Sequence, residues 1–285
     1  MSDRAVLREA IAQAAERLAG AGVPSPRHDA EALAAHVLGV PRSRLVMIDP
    51  GAFGTVRREY ESAVARRVAR EPLQHLTGSA PFRRLELAVG PGVLIPRPET
   101  ELLVDAALDW LRSAFLSTPR IVDLGTGSGA IALALAGEWP GSRVWAVERD
   151  PAALCWAARN IAATGLAVDL VAADMADALP ELDGTIDLVL ANPPYLPTSL
   201  LTSLEPEVRD HDPAAALFAG ADALSAVRVV AATARRLLRS GGLTVVEHGS
   251  DQGDSAPACF GEGWERVTDR LDLAGRPRYL TAVHL

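Results

Sequence analysis

Ile121-Val122-Asp123-Leu124-Gly125-Thr126-Gly127-Ser128-Gly129 is the stretch on which the fold turns. Its first four residues predict a short strand, and residues 129–139 continue as a helix. Between the two, alternate glycines let the backbone turn sharply and let a ligand approach where a Cβ would otherwise stand. The spacing is Gly-x-Gly-x-Gly, and with Ala130 it also satisfies Gly-x-Gly-x-x-Ala. The glycines alone therefore do not separate S-adenosylmethionine from NAD.

Downstream the alternation continues. Strands are predicted over 143–147, 168–172, 186–191 and 243–247, helices over 152–163 and 222–239, and β-like pattern over 264–269 and 278–283. This rhythm implies an α/β, Rossmann-like domain with a mostly parallel sheet and helices on both faces. Upstream, Ile95-Pro96-Arg97-Pro98-Glu99-Thr100-Glu101 opens a helix running to about residue 115. Pro98 suits its first position and Glu99 and Glu101 suit the positive end of its dipole; the run is either a helix start alone or one that points Arg97 towards a ligand. Residues 72–78 read as a linker, and 82–88 with 92–95, around Gly90-Pro91-Gly92, as a β-hairpin. Before that come four helical segments: 2–20, 27–38, a short one from Pro41 closed by Asp49-Pro50-Gly51, and an arginine-rich one over 55–70. The expected division is an N-terminal helical bundle at 1–71, a hairpin-bearing linker at 72–97, and the α/β domain at 98–285.

Composition narrows the function. The 285 residues are 49% hydrophobic and 22% charged, as in a globular protein with ample core, and the net charge is −8. All the basic residues are arginine. An acidic chain argues against broad nucleic-acid binding, although the arginines of 55–70 form either a solvated helix face or a docking surface. Cys155 and Cys259 lie far apart near apolar residues, as reduced thiols of a cytoplasmic protein do. No apolar run reaches the ~18 residues of a membrane span, and the six histidines show no metal-ligand spacing.

The second distinctive stretch is Asn192-Pro193-Pro194-Tyr195, directly after an apolar strand. Two prolines remove two backbone donors and stiffen the chain. What remains is a strip of acceptors: the Asn192 side-chain oxygen and the carbonyls of Asn192 and Pro193. Two such acceptors grip a planar NH2 group, with the Tyr195 ring lying on its face. Glu148 ends the second strand about twenty residues after the glycines, where an acidic residue holds a ribose diol. Asp174 and Met175 follow the third strand, placed to meet an adenine amino group and ring. All these stretches end strands that share one crevice in an open α/β sheet. A hydride-transfer enzyme would need a poised acid or base there. A methyltransferase needs a docked sulfonium and a nitrogen held in line, work done by positioning.

Together, residues 123–129, Glu148 and the tetrapeptide resemble a class I S-adenosylmethionine-dependent methyltransferase acting on a planar nitrogen. Pro72-Leu73-Gln74-His75-Leu76-Thr77-Gly78, Phe82, Val93-Leu94-Ile95-Pro96-Arg97-Pro98-Glu99-Thr100-Glu101, Glu207-Val208 and Glu247-x-Gly249-x-x-Gln252 extend the resemblance over nearly the whole chain, to the HemK/PrmC family. That resemblance implies N5-methylation of the glutamine in the Gly-Gly-Gln loop of class 1 peptide chain release factors, in the cytoplasm. It implies S-adenosylmethionine across Gly125, Thr126, Gly127, Ser128 and Gly129, with ribose on Glu148 and adenine near Asp174 and Met175. The substrate amide would be held by Asn192, Pro193 and Pro194, with Tyr195 stacked on it, and the N-terminal bundle would bind the release factor. No membrane contact and no direct nucleic-acid binding are expected. Glutamine methylation of a ribosomal protein, or amino methylation of a nucleic-acid base, are the alternatives. Departures from the family pattern are mild: His248 for an apolar residue, Asp212-Pro213 for Glu-Pro, Ala221 and Ala223 for glycines, and Glu148 where Asp is common.

Overall fold

Leu7, Ile11, Ala14 and Leu18 recur at intervals of three and four residues, and all four are buried on one face of helix α1 (Asp3–Gly20). The computed structural model describes residues 3–48 and 51–285. Helix α2 (Pro26–Leu38), a 3-10 turn at Arg42–Met47, α3 (Ala52–Val68) and α4 (Leu73–Thr77) complete an all-helical unit. The expected closure at Asp49-Pro50 lies outside the described residues. Leu33, Phe53, Tyr60 and Val64 close its core. Tyr60 donates its hydroxyl to the Ala30 carbonyl at 3.2 Å, satisfying the one polar atom the ring brings inside. Residues 72–78 are not a plain linker, because Leu73 and Leu76 pack against this core and α4 forms around them.

Two compact units make up the chain: Met1–Ser79 with Glu205–His211, and Ala80–Leu204 with Asp212–Leu285. The inclusion of Glu205–His211 in the helical unit has an electrostatic cause. Arg67, whose side chain is only 5% exposed, donates to Asp29 at 2.9 Å and to Glu207 at 2.7 Å. Arg70 donates to Glu207 at 2.7 and 2.6 Å and to Glu205 at 2.9 Å. The arginine run of α3 thus divides by position. Arg57 and Arg58 face solvent, whereas Arg67, with Arg70 just past the helix end, holds a distant segment of the chain.

The second unit begins with paired strands β1 (Ser79–Phe82) and β2 (Leu85–Ala88). The hairpin therefore turns at Arg83-Arg84 and not at Gly90-Pro91-Gly92. Residues 92–95 form no strand; Val89, Val93 and Ile95 instead pack with Ala80 and Ala153 in a small separate cluster. Helix α5 (Glu101–Ser113) leads into β3 (Arg120–Leu124), α6 (Ala130–Glu138), β4 (Arg143–Glu148), α7 (Pro151–Thr164), β5 (Val168–Ala172) and β6 (Ile186–Ala191). Helix α8 (Ser225–Leu237), β7 (Leu238–Glu247), β8 (Trp264–Leu271) and β9 (Pro277–His284) close the chain.

The seven strands lie in the order β5-β4-β3-β6-β7-β9-β8. Those from β5 to β7 are parallel, and β9 is antiparallel to both its neighbours. Alternate residues of β3 and β6 feed opposite cores. Val122, Leu124, Val189 and Ala191 meet Val227, Val230 and Ala234 of α8. Ile121, Leu188 and Leu190 meet Leu103, Val104 and Leu108 of α5 and the apolar face of α6. Strand β7 begins five residues earlier than the alternation of apolar residues suggests, because Leu238 already pairs with Ile186. Gly242 is required in this irregular start: a Cβ there would stand 2.9 Å from Leu238 Cδ2 and 3.1 Å from the Asp187 carbonyl oxygen.

Candidate active site

The order of β5-β4-β3 on one side and β6-β7 on the other puts the reversal of winding between β3 and β6. Ligands of open α/β sheets bind at such a reversal, beyond the carboxyl ends of the strands. Leu124 pairs with Ala191 at the last register position of β3 and β6, so Gly125 and Asn192 leave the sheet side by side. A cavity of about 490 Å³ opens there. Gly125, Thr126, Gly127, Ser128, Glu148, Met175, Asn192, Pro193 and Pro194 line it, together with Arg97 and Thr100.

The glycine loop is held from several sides. Gly125 and Gly127 have φ values of 72° and 58°, open to glycine and strained for other residues. The Gly125 and Thr126 N–H groups both donate to the Val147 carbonyl at 2.9 Å. Asn160, 2% exposed on α7, donates to the Ser128 carbonyl at 2.9 Å while its amide pairs with the Ala88 backbone on β2. Sequence reading missed Asn160, whose only trace is a polar residue among the apolar positions of α7. Gly129 stands behind the wall, where its N–H donates to the Thr126 carbonyl at 2.9 Å as α6 begins.

Asp123 is fully buried at the end of β3. Burial raises it to about 7, against hydrogen bonds from the Thr126 hydroxyl (2.5 Å) and the Ala132 N–H (3.2 Å), both to Oδ2. Its Oδ1 is a buried acceptor with no partner among the described residues. Asp123 is not part of the cavity lining and acts on the loop from behind, through Thr126. Glu148 accepts from Gly127 N–H at 3.0 Å through Oε2, and from Arg149 and Asp150 N–H at 2.8 Å through Oε1. It shapes the loop as well as facing the cavity.

Asp174, expected at the adenine, lies off the cavity wall. Its Oδ1 accepts from Ala176 N–H at 3.0 Å and its Oδ2 from Arg149 at 2.9 Å, while Ala173 and Met175 on either side face the cavity. Arg97 lines the cavity and forms an ion pair with the buried Asp212 carboxylate.

Asn192 Nδ2 donates to Thr100 Oγ at 3.1 Å, and the Thr100 hydroxyl donates to Glu247 Oε2 at 2.7 Å. Tyr195 donates its hydroxyl to Glu247 Oε1 at 3.1 Å and sits outside the cavity lining, tied to the wall. Burial, then the Glu247 charge, push the Tyr195 phenol well above its ordinary value. Behind this, Gln252 Nε2 donates to the carbonyls of Tyr195 (3.3 Å) and Ala223 (3.0 Å), and its Oε1 accepts from Gly249 N–H at 2.8 Å. Ala223 has φ 55°, a left-handed conformation that costs an alanine about 1 kcal/mol and a glycine little. Thr100, Glu247 and Gln252 were visible in the sequence as motif letters without a role, because most of their partners are 29 to 147 residues away.

The methyltransferase small domain matches residues 100–202, and the PrmC N-terminal domain matches residues 9–78. Fold and site define a methyltransferase of the Rossmann-like class. A release factor glutamine methyltransferase of Streptomyces coelicolor is 54% identical, covering 95% of this chain and 96% of its own length. Those of Mycolicibacterium smegmatis (50%; 98% of each chain) and Bifidobacterium longum (42%; 98% and 99%) are similar throughout. The chain belongs to the release factor glutamine methyltransferase family.

Proposed function

We propose that the protein transfers a methyl group from S-adenosylmethionine to the side-chain nitrogen of the glutamine in the Gly-Gly-Gln motif of peptide chain release factors, in the cytoplasm. The observation that carries this reading is the state of Asn192. One N–H of its amide is tied back to Thr100, which turns the NH2 end inward and leaves the side-chain oxygen as its acceptor for a ligand. Beside it, Pro193 and Pro194 bring no N–H groups to the cavity wall. An acceptor-rich shelf accepts from a carboxamide NH2 and repels an incoming carbonyl.

S-adenosylmethionine, when bound, supplies a methyl group already activated by a positively charged sulfur. Gly125, Thr126, Gly127 and Ser128 form the cradle, with Gly129 behind them. Glu148 would hold the ribose and Met175, on the cavity wall, would pack on the base. An amide nitrogen is a poor nucleophile because its lone pair is delocalised into the carbonyl. Hydrogen bonds accepted by Asn192 Oδ1 and the Pro193 carbonyl raise electron density on that nitrogen and fix its direction. Tyr195, anchored by Glu247, completes the substrate side, and the helical unit supplies the release-factor contact.

Incubation with purified release factor and S-adenosylmethionine, then mass mapping of the peptide bearing Gly-Gly-Gln, tests the proposal. One added methyl on that glutamine is expected. Label found only on ribosomal protein or nucleic acid from a lysate would overturn it.

A further inference from the structure

The Asn192 amide has two ends of opposite character, and only one arrangement makes the shelf an acceptor. Left alone, a half-buried asparagine presents either end. Here the choice is made two residues away. The Glu247 carboxylate, 1% exposed, is acceptor-only when ionised. It therefore takes the Thr100 proton, Thr100 has only a lone pair left for Asn192, and Asn192 must turn Nδ2 inward. The other carboxylate oxygen takes the Tyr195 hydroxyl. One buried anion thus sets the polarity of both polar side chains of the tetrapeptide.

We propose that Glu247 is a positioning residue which, acting through the Thr100 hydroxyl, fixes the Asn192 amide with its oxygen towards the substrate. The inference rests on the amide-acceptor role proposed above for Asn192. Protonation reverses the relay: a neutral Glu247 can donate to Thr100, whose proton then turns towards Asn192 and draws Oδ1 inward, leaving an NH2 to confront the substrate NH2. Burial raises Glu247 to about 7, opposed by the bonds from Thr100 and Tyr195 and by Arg278 on β9, and reinforced by Glu99 ahead of α5. The relay is set above that value and lost below it.

The tests separate this relay from the function itself. Asn160 and Asn192 are the two asparagines of the chain, so asparagine-selective 15N labelling gives two side-chain NH2 signals, assigned by Asn192→Ala. The Asn192 signals are expected to shift between about pH 5.5 and 8.5 with a midpoint near 7, to lose that titration in Glu247→Gln, and to move in Thr100→Val. Signals unmoved by pH and by Thr100→Val overturn the relay, whatever the substrate proves to be. In methyl transfer to a release factor, Thr100→Val should lower kcat about tenfold or more with cofactor affinity unchanged. Thr100→Ser, which keeps the hydroxyl, should recover most of the loss, and Glu247→Gln should abolish the acid limb of the pH–rate profile. A Thr100→Val enzyme with the parent kcat overturns the relay. A parent enzyme that leaves release factors unmethylated while the Asn192 signals behave as described overturns the function and keeps the relay.

Discussion

Glu207 in the helical unit and the buried Asp123 and Glu247 in the α/β unit titrate in opposite directions. In the helical unit, burial pushes Glu207 up, but hydrogen bonds from Arg70 and Arg67 outweigh it and hold the group at about 2. In the α/β unit, Asp123 and Glu247 are held by hydroxyls and a backbone N–H instead of guanidiniums, and burial drives both to about 7. The first arrangement fastens chain to chain, since a paired carboxylate supplies affinity between segments. The second costs stability, since a buried anion without a counterion is disfavoured. Such a cost is retained where the group has chemistry or positioning to do. The difference locates function without reference to any relative: the arginine-rich helix builds structure, and the lone buried acids mark the site.

The largest test of that division is Asn192→Ala, at the end of the Glu247 relay. Turnover should fall about 10²-fold or more, with S-adenosylmethionine affinity nearly unchanged by calorimetry. Methylation at the parent rate would remove Asn192 from the site. Glu148→Ala comes next. It removes the acceptor of three backbone N–H groups that shape the loop, so the cofactor should bind about tenfold more weakly, roughly 1.4 kcal/mol. Unchanged affinity would cancel the ribose assignment.

Glu207→Ala breaks the other side of the comparison. It strips Arg70 of its main partner and leaves the buried Arg67 with the Asp29 carboxylate and the Glu71 carbonyl, at a cost of about 1–3 kcal/mol in urea unfolding. Methyl transfer measured at saturating cofactor should not acquire a new pH limb. The pH dependence has a definite sign. Glu207 titrates at about 2 in the fold against an ordinary 4.5, so its contribution is complete above 4.5 and is lost as pH falls towards 2. Asp123 and Glu247 are raised, so the folded state keeps protons the unfolded chain has released. Their contribution declines as pH rises from about 4 to 7, while the relay needs the ionised Glu247. Glu247→Gln should flatten that decline, and Glu207→Ala should leave it intact.

Much of this was legible in the sequence wherever the information is local. Strands Val168–Ala172 and Ile186–Ala191 both stand where the sequence predicts; every residue of Ile186–Ala191 is buried, which leaves one reading of its apolar run, whereas Val168–Ala172 lies at the sheet edge. The glycine loop and the tetrapeptide carry their geometry in glycine and proline, and residues 125–128 and 192–194 line the cavity. What could not be read depends on partners remote in sequence. The hairpin was placed one turn too late because a glycine-proline-glycine run signals a turn more strongly than Arg83-Arg84, although Arg83 takes φ 52° and its N–H donates to Glu101 at 2.9 Å. The attachment of Glu205–His211 to the helical unit needs Arg67 and Arg70, about 140 positions earlier. The Thr100–Glu247 bond spans 147 residues and has no periodic signal at all.

The smallest effect expected is at Asp174, and it sharpens the same contrast. Position alone, after the third strand of the half-sheet, assigns it to the adenine amino group. In the structure both oxygens are engaged, one by Ala176 N–H and one by Arg149, and these two interactions hold it below the ordinary aspartate value. The side chains of the pair are 65% and 45% exposed, so the pair contributes about 0–1 kcal/mol. It therefore resembles the clamps of the helical unit more than the buried acids of the site. Asp174→Ala should change S-adenosylmethionine affinity by less than about threefold, roughly 0.6 kcal/mol. If affinity fell as far as in Glu148→Ala, Asp174 would have to leave Arg149 and reach the base when the cofactor binds. In that event a surface ion pair would belong with the chemistry, and counterion content would no longer separate the two kinds of carboxylate.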